Sequence, residues 1–281
     1  MNKNIPSHQQ DIYFAAVGDV HGHMYAMLGL LQAWESRDRQ KLAFVLQVGD
    51  FEPHRQQADL ATMDAPNRYR KLGEFSDFYS KKAEFPWQIY FIGGNHEPYG
   101  FLDLMPAGGE VTKNCYYLGR VGFCELAGLK IVGLSGIYRE NLFLHTARPD
   151  IAQIGSRSNK DYIGFIQSDI DRALDFQSAD ILMLHEWSTD TIAADDIESF
   201  QQWLPSLKYE VLGNEYARML IEFLQPKLVL CGHMHKSYRN QVSFSPGTVT
   251  DICCLANVQQ GKDAIAIFKL APDGTIVEVS N

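Results

Sequence analysis

The sequence has few cysteines, no long apolar run and no excess of positive charge. Its 281 residues include five cysteines, a small and odd number that favours reduced thiols over a disulfide framework. No window approaches the ~18 apolar residues of a membrane span, and the polar segment 1–10 lacks the apolar core of a signal peptide. We therefore expect a cytoplasmic protein with no membrane partner.

The formal net charge of −9 argues against broad, non-specific nucleic-acid binding, which depends on a basic surface. It does not exclude a small phosphate site that carries its own metal charge. The sequence shows no internal repeat, low-complexity segment or linker, and its composition is that of an ordinary globular protein. We expect residues 1–281 to form one domain, and no obligate protein partner is evident.

What the sequence does contain is a series of apolar runs that end in Asp, Asn or His. In the central one, Gln88 to Ile92 is followed by Gly93-Gly94-Asn95-His96-Glu97. Open α/β sheets place ligand sites at the carboxyl ends of their strands, so we expect the polar residues that follow these runs to meet at one edge. The other four motifs are Gly18-Asp19-Val20-His21, Gly49-Asp50, His185, and Gly232-His233-Met234-His235.

Each motif has an ordinary structural explanation when it stands alone. Asp50 can be a helix N-cap residue, and His185 can be a buried histidine with satisfied hydrogen bonds. Five such explanations at the same structural position are jointly improbable. Residues two apart in an extended segment also point the same way, which predicts convergent pairs at Asp19 and His21 and at His233 and His235.

The donors are oxygens and nitrogens without a thiolate, a set that suits Mn, Fe, Zn or Co better than Ca. Seven donors exceed the needs of one transition metal, whereas two cations ~3.5–4 Å apart and bridged by Asp50 account for all of them. The candidate ligands are Asp19, His21, Asp50, Asn95, His185, His233 and His235. Such a pair of cations clamps a phosphoryl oxygen and activates water, and His96 is then free to act as general acid to the leaving oxygen.

In order and spacing, these motifs resemble the signature of the calcineurin-like metallophosphoesterases. The resemblance implies an α/β (α+β) fold, in which two mixed β-sheets pack as a sandwich flanked by helices. It implies two divalent metal ions, for which Mn, Fe or Zn are candidates. It also implies a division of ligands, with Asp19, His21, Asp50 and His235 on one metal and Asp50, Asn95, His185 and His233 on the other.

Further motifs are similar to the RNA lariat debranching enzymes, which favours a phosphodiesterase acting on nucleic acid or nucleotides, including 2′,5′ linkages. Two departures point to a prokaryotic relative whose substrate need not be an intron lariat. Eukaryotic members carry Cys where this chain has Asp19, and they have a further C-terminal domain beyond the position of Asn281. The motifs are Gly49-Asp50-Phe51, Ala58-Asp59-Leu60, Tyr69-Arg70, Phe91 to Glu97, Tyr116 to Gly119, Gly133 to Tyr138 and His185-Glu186-Trp187.

The segment Tyr138 to Tyr162 is the candidate substrate-recognition loop. It has no clear periodicity, and both tyrosines could stack on unpaired bases. A solvated, mobile loop is the alternative. Its cationic or hydrogen-bonding residues are Arg139, His145, Arg148, Arg157 and Lys160, and the candidate substrate contacts overall are Arg55, Tyr69, Arg70, Tyr138 and Arg139. Arg55 could grip a phosphate through two parallel hydrogen bonds.

Two other functions stay open on the sequence alone. A phosphomonoesterase acting on phosphoprotein or on a small ester would use the same site chemistry, and would differ in its substrate contacts. A non-catalytic binding scaffold would lack ligands or the general acid, and this sequence lacks neither.

Overall fold

The computed structural model describes residues 11–144, 147–153, 155, 158–203, 212–244 and 247–279. In this part of the chain the strands are β1 (Ile12–Val17), β2 (Leu42–Gln47), β3 (Gln88–Phe91), β4 (Gly109–Thr112), β5 (Cys115–Tyr117), β6 (Val121–Leu126), β7 (Leu129–Leu134), β8 (Ile181–Leu184), β9 (Leu228–Cys231), β10 (Tyr238–Val242), β11 (Thr250–Cys254), β12 (Ile265–Leu270) and β13 (Ile276–Val279). The helices are α1 (Met24–Asp38), α2 (Phe75–Tyr79), α3 (Tyr99–Leu102), α4 (Glu140–Phe143), α5 (Gln167–Leu174), α6 (Ile197–Trp203) and α7 (Glu215–Leu224). None of the helices described is long and apolar enough to cross a membrane.

The strands form two mixed sheets. The first has the order β13-β12-β1-β2-β3-β5-β4, and the pairs from β1 to β5 through β2 and β3 are parallel. The second has the order β10-β11-β9-β8-β7-β6, with parallel pairing from β11 to β7. The outer pairs of both sheets are antiparallel.

The apolar residues of β1 show how the layers are built. Phe14 and Ala16 belong to the core between the sheets, and the Phe14 ring stacks on Phe44 of β2 with centroids 5.0 Å apart. Ala15 and Val17 face the opposite way, into the core beneath α1. Because successive side chains alternate between faces, a strand buried on both sides reads as a continuous apolar run. A third core lies under α5, α6 and α7 on the outer face of the second sheet, which completes the expected sandwich flanked by helices.

Two segments differ from their sequence patterns. The helix-prone region 52–82 contains only α2 and two 3₁₀ turns, since Pro53 and Pro66 interrupt any longer helix. The strand expected at 242–244 is instead Tyr238–Val242. Its side chains alternate between half-buried and exposed, and its exposed residues are polar, so no apolar run marks it in the sequence.

Candidate metal centre

The loops that follow β1, β2, β3, β8 and β9 meet at one edge of the sandwich. The backbone N–H of His21 donates to the Asp50 carbonyl at 2.8 Å, and Gly232 N–H donates to the His185 carbonyl at 3.0 Å. Between the sheets, His185 Nδ1 donates to the Val48 carbonyl at 2.8 Å. Backbone hydrogen bonds therefore fix the relative positions of loops that are far apart in sequence.

One half of the centre contains Asp19, His21 and His235, whose donor atoms all lie within 4.8 Å of one another. His21 Nε2 is 2.9 Å from His235 Nε2 and 3.7 Å from Asp19 Oδ2. Asp50 lies beside this group, with its Oδ2 3.9 Å from His21 Nε2.

The other half is built around His185. Its Nε2 is 3.2 Å from Asn95 Oδ1 and 3.5 Å from Asp50 Oδ2. The ring of His233 lies 5.0 Å from the His185 ring, measured between centroids. The structure thus brings all seven predicted donors together, with Asp50 between the two halves.

The hydrogen bonds around His185 and His21 leave their Nε2 atoms free to bind a cation. A carbonyl oxygen only accepts, so the bond from His185 Nδ1 to Val48 leaves the Nε2 lone pair directed at the Asp50 carboxylate. His21 donates from Nδ1 to Glu52 at 2.8 Å, which likewise turns its Nε2 toward Asp19 and His235. Asp19 Oδ2 is buried and makes no regular hydrogen bond among the described residues, although His235 Nε2 lies 2.9 Å from it. A divalent ion, or a proton, relieves the repulsion between these acceptors.

Burial and the nearby carboxylates act in opposite directions on these histidines. Burial lowers the pKa of His21, but the Glu52 hydrogen bond and the charges of Asp50 and Asp19 outweigh it and raise the pKa to about 9. For His185, the Asp50 carboxylate overcomes burial and raises the pKa to about 10. The same negative charge that holds these protons attracts divalent cations, so that protons and metal compete for the same Nε2 atoms.

Glycines before the ligands allow this close approach. A Cβ on Gly232 would lie 2.3 Å from Asp19 Oδ1, and one on Gly94 would lie 2.3 Å from Asp50 Oδ1. At Gly49 the Cβ would lie 2.4 Å from His185 Nδ1. Each of these three glycines is therefore required by a ligand from a different loop.

Asp19 and His21 converge as predicted, but the expectation that the paired ligands project from extended backbone is wrong. His21, Asp50, His233 and His235 have φ values of 47°, 51°, 66° and 50°, all in the left-handed region. Such residues cost of order 1–3 kcal/mol each and are held in place by the surrounding structure. As a result His233 faces His185, whereas His235 faces His21.

Three polar residues that support the ligands were not assigned a role from sequence. Buried Glu97 accepts from the N–H groups of Phe51, Glu52 and Gly94, which ties the loop after β2 to the loop after β3. Burial first, and then the Asp50 charge, raises its pKa to about 8. Glu52 orients His21, as described above. Buried Gln47 donates to the carbonyls of Gly18 and Gly49. The sequence offered one sign of this role, because a glutamine is unusual inside an otherwise apolar strand.

His96 lies beside the centre. Its backbone N–H donates to Asp50 Oδ1 at 2.8 Å, and its ring is 5.5 Å from the His21 ring, measured between centroids. The side chain is partly exposed, and Nδ1 is buried without a hydrogen-bond partner among the described residues. The imidazole is thus next to the ligands and also reachable from solvent.

The expected substrate contacts Arg55, Tyr69 and Arg70 lie in the segment between β2 and β3, and their surroundings differ. Arg55 directs Nε and Nη2 at the two oxygens of Asp59, at 3.0 and 2.8 Å, so its bidentate edge is engaged within the protein. Arg70 donates from Nε to the Ala65 carbonyl at 2.8 Å. Tyr69 is 57% exposed, and its ring is covered in part by the Arg68 guanidinium, 4.6 Å from the centroid.

The expected recognition loop is only partly available to a substrate. Tyr162 is fully buried, so its expected role in base stacking is wrong, and its carbonyl accepts from Arg120 at 2.7 Å. Tyr138 is partly buried against Phe143 and Tyr216, and Arg139 immediately precedes α4. His145 and Arg157 lie outside the described residues, Arg148 pairs with Asp169, and Lys160 is exposed.

Comparisons with known proteins agree with this geometry. The family described as calcineurin-like phosphoesterase matches residues 12–237. The lariat debranching enzyme of Entamoeba histolytica is 30% identical over 237 residues, covering 82% of this chain and 66% of that protein. The lariat debranching enzyme of Arabidopsis thaliana is 29% identical over 276 residues, covering 94% and 65% respectively. That of Caenorhabditis elegans is 30% identical, covering 85% and 50%.

The chain spans one half to two thirds of the length of these relatives, so the similarity covers only part of each of them. One solved crystal structure matches with a TM-score of 0.55 at 11% identity, covering 96% of this chain and 99% of its own. A likeness at that identity shows the fold alone. The family resemblance and the two-sheet fold expected from the sequence are both confirmed.

Replacement of Gly232 by alanine should weaken metal binding. The new Cβ would displace the Asp19 carboxylate, and we expect the affinity for Mn²⁺ to fall roughly 10–100-fold, as for other changes that disturb ligand orientation. Calorimetric titration measures this. The matched control is Gly29→Ala, an exposed site on α1 with no atom within 4 Å of the new Cβ. It should keep its Mn²⁺ affinity, and equal affinities in both variants would contradict the assignment.

Metal binding at pH 7 should release about two protons, one each from His21 and His185, because only their neutral forms are ligands. The apparent affinity should rise with pH until it passes the pKa values of about 9 and 10, and should fall as the solution is acidified. Calorimetry in buffers of different ionisation enthalpy counts the protons. A binding enthalpy that is the same in every buffer would show that no proton is released.

Proposed function

The chain belongs to the calcineurin-like phosphoesterase family, and we propose that it hydrolyses phosphodiesters of nucleotides or nucleic acid, including 2′,5′ linkages, with the help of two divalent metal ions. The observation that carries the proposal is the convergence of seven oxygen and nitrogen donors at one edge of the sandwich, with the uncommitted imidazole of His96 beside them. Mn, Fe and Zn all suit this thiolate-free set.

The protein side chains would divide the work as follows. Asp19, His21, Asp50 and His235 would hold one ion, and Asp50, Asn95, His185 and His233 the other. Bound ions of this kind polarise a phosphoryl oxygen and activate water for attack on phosphorus. Glu52 and the Val48 carbonyl fix the tautomers of His21 and His185, so that their Nε2 atoms face the ions.

His96 would provide the proton for the leaving oxygen. Its imidazole is not needed as a ligand, and its backbone bond to Asp50 keeps it close to the reacting phosphate. As the bond from phosphorus to the leaving oxygen breaks, that oxygen gains negative charge, and proton transfer from the imidazolium neutralises it.

The preference for diesters is supported by sequence. The family alone indicates a phosphoester substrate, whereas the three relatives compared above are each described as a lariat debranching enzyme. Since this chain spans only part of their length, their substrate is a hypothesis here. The exposed Tyr69 and the cationic residues Arg70 and Arg139 are among the groups available for contacts with a nucleotide.

A substrate panel tests this function. The protein loaded with Mn²⁺ should cleave a branched RNA or a nitrophenyl diester faster than a nitrophenyl monoester, if its substrate is of the class named for the lariat debranching enzymes that it resembles. Linear RNA and Asp50→Asn are included as comparisons, and Asp50→Asn should lose activity on every substrate. Faster cleavage of the monoester than of any diester would identify a phosphomonoesterase of the same family.

The variant His96→Ala should keep its metal ions and lose most of its turnover. General acid catalysis contributes roughly 10²–10⁴-fold, so a dinucleotide with a poor leaving group should show a loss of that order. A nitrophenyl diester needs no proton at its leaving oxygen and should lose much less. Rates for both substrates, with metal content measured in parallel, provide the test. Equal losses on both would argue against proton donation.

A further inference from the structure

An exposed tryptophan ends α6, near the candidate metal centre. Trp203 is 40% exposed, whereas Trp34, Trp87 and Trp187 are 4%, 7% and 0% exposed. Large aromatic side chains gain most from burial, and tryptophan is enriched at contact surfaces, where its ring offers an apolar face together with an N–H donor. Nothing in the phosphoesterase chemistry derived above uses this indole.

Aromatic contacts tie Trp203 to the loop that carries His233 and His235. The Trp187 indole N–H donates to the Gly232 carbonyl at 2.8 Å, directly before His233. Phe200 packs on Trp187 with centroids 5.7 Å apart, and Trp203 packs edge-on against Phe200 at 6.0 Å. Each contact buries apolar area at a fixed angle. The exposed indole is thus held at a defined position relative to the metal ligands.

Lys236 places a positive charge over one face of this indole, which leaves the opposite face for a base. It directly follows His235 in the chain, and its Nζ lies 5.3 Å from the Trp203 ring centroid and 6.0 Å from that of Phe200. Among the described residues it has no carboxylate within ion-pair distance. The unpaired ammonium of Lys236 can attract a phosphate, and the exposed ring of Trp203 offers a flat face for a base.

We propose that Trp203 and Lys236 form a nucleobase subsite, in which the indole stacks on a base and the ammonium contacts a phosphate of the same nucleotide. This rests on the proposed function, since the nucleotide is the one whose phosphodiester reaches the metal centre. Stacking on an aromatic ring is tolerant of base identity, because every base has a π-face. The subsite therefore selects nucleotides over other phosphodiesters without reading their sequence.

Two esters with the same leaving group isolate the base. Thymidine 5′-(4-nitrophenyl phosphate) carries a nucleobase, and methyl 4-nitrophenyl phosphate does not. For Trp203→Ala, kcat/KM on the thymidine ester should fall about 5–150-fold, the range expected for loss of one base stack, while the methyl ester keeps its rate. Trp203→Phe retains an aromatic face and should recover most of the activity on the thymidine ester.

The matched control is Phe223→Ala, which removes an aromatic ring that is 53% exposed on α7, close to the start of β9 and thus at the opposite edge of the sheet. It should leave both esters unaffected. Equal losses on the two esters in Trp203→Ala, or a loss with Phe223→Ala that matches it, would overturn the subsite. Melting curves of each variant show whether the fold is retained.

A binding measurement separates the subsite from catalysis. With EDTA present, thymidine monophosphate should quench the fluorescence of the single exposed tryptophan in a saturable way, and Trp203→Phe should abolish this change. Lys236→Gln should weaken binding and reduce its dependence on salt, because one phosphate contact is lost. Absence of quenching would overturn the subsite. Quenching by a protein that cleaves neither ester with Mn²⁺, Fe²⁺ or Zn²⁺ would instead count against the proposed function.

Discussion

Two buried carboxylates, Asp19 and Asp50, determine the character of the whole centre. Both are almost completely excluded from solvent, at the edge where the two sheets meet. Uncompensated charges in such a position are costly, so the protein must surround them with groups that carry or accept positive charge. The imidazoles of His21 and His185, whose pKa values are strongly raised, supply part of this positive charge. A pair of divalent cations would supply the rest.

The fold supplies this arrangement through ordinary sheet geometry. Parallel strands in both sheets direct their carboxyl ends to the same edge, so short loops bring distant residues together. The close approach of these loops then requires glycine at Gly49, Gly94 and Gly232, and left-handed backbone at several of the ligands. Backbone hydrogen bonds to Glu97 and Gln47 keep this conformation in place. The structure therefore offsets local strain at the site with buried polar contacts around it.

Much of this could be predicted from the sequence, because the signals are strong where strands are buried. The runs at β1, β2 and β7 and the polar residues after them reflect burial on both faces followed by a tight loop. The local sequence pattern could not reveal the left-handed backbone conformation of several ligands, because that conformation depends on contacts between loops. It also failed for Tyr162, since an aromatic residue in an irregular segment reads the same whether it is buried or exposed. The predicted position of β10 was wrong for a related reason. This strand is polar and lies at the edge of its sheet, so no apolar run marks it in the sequence.

The position of β12 has a consequence for how the protein is made. β12 pairs with β1 along its full length, Val17 opposite Ile265, and the Ala264 carbonyl accepts from Gly18 N–H beside Asp19. The loop with Asp19 is synthesised early, but its hydrogen-bonding partner emerges from the ribosome far later. Contacts between residues so distant in sequence form late and slowly. During translation, Asp19 and His21 therefore lack their final surroundings until β12 has emerged.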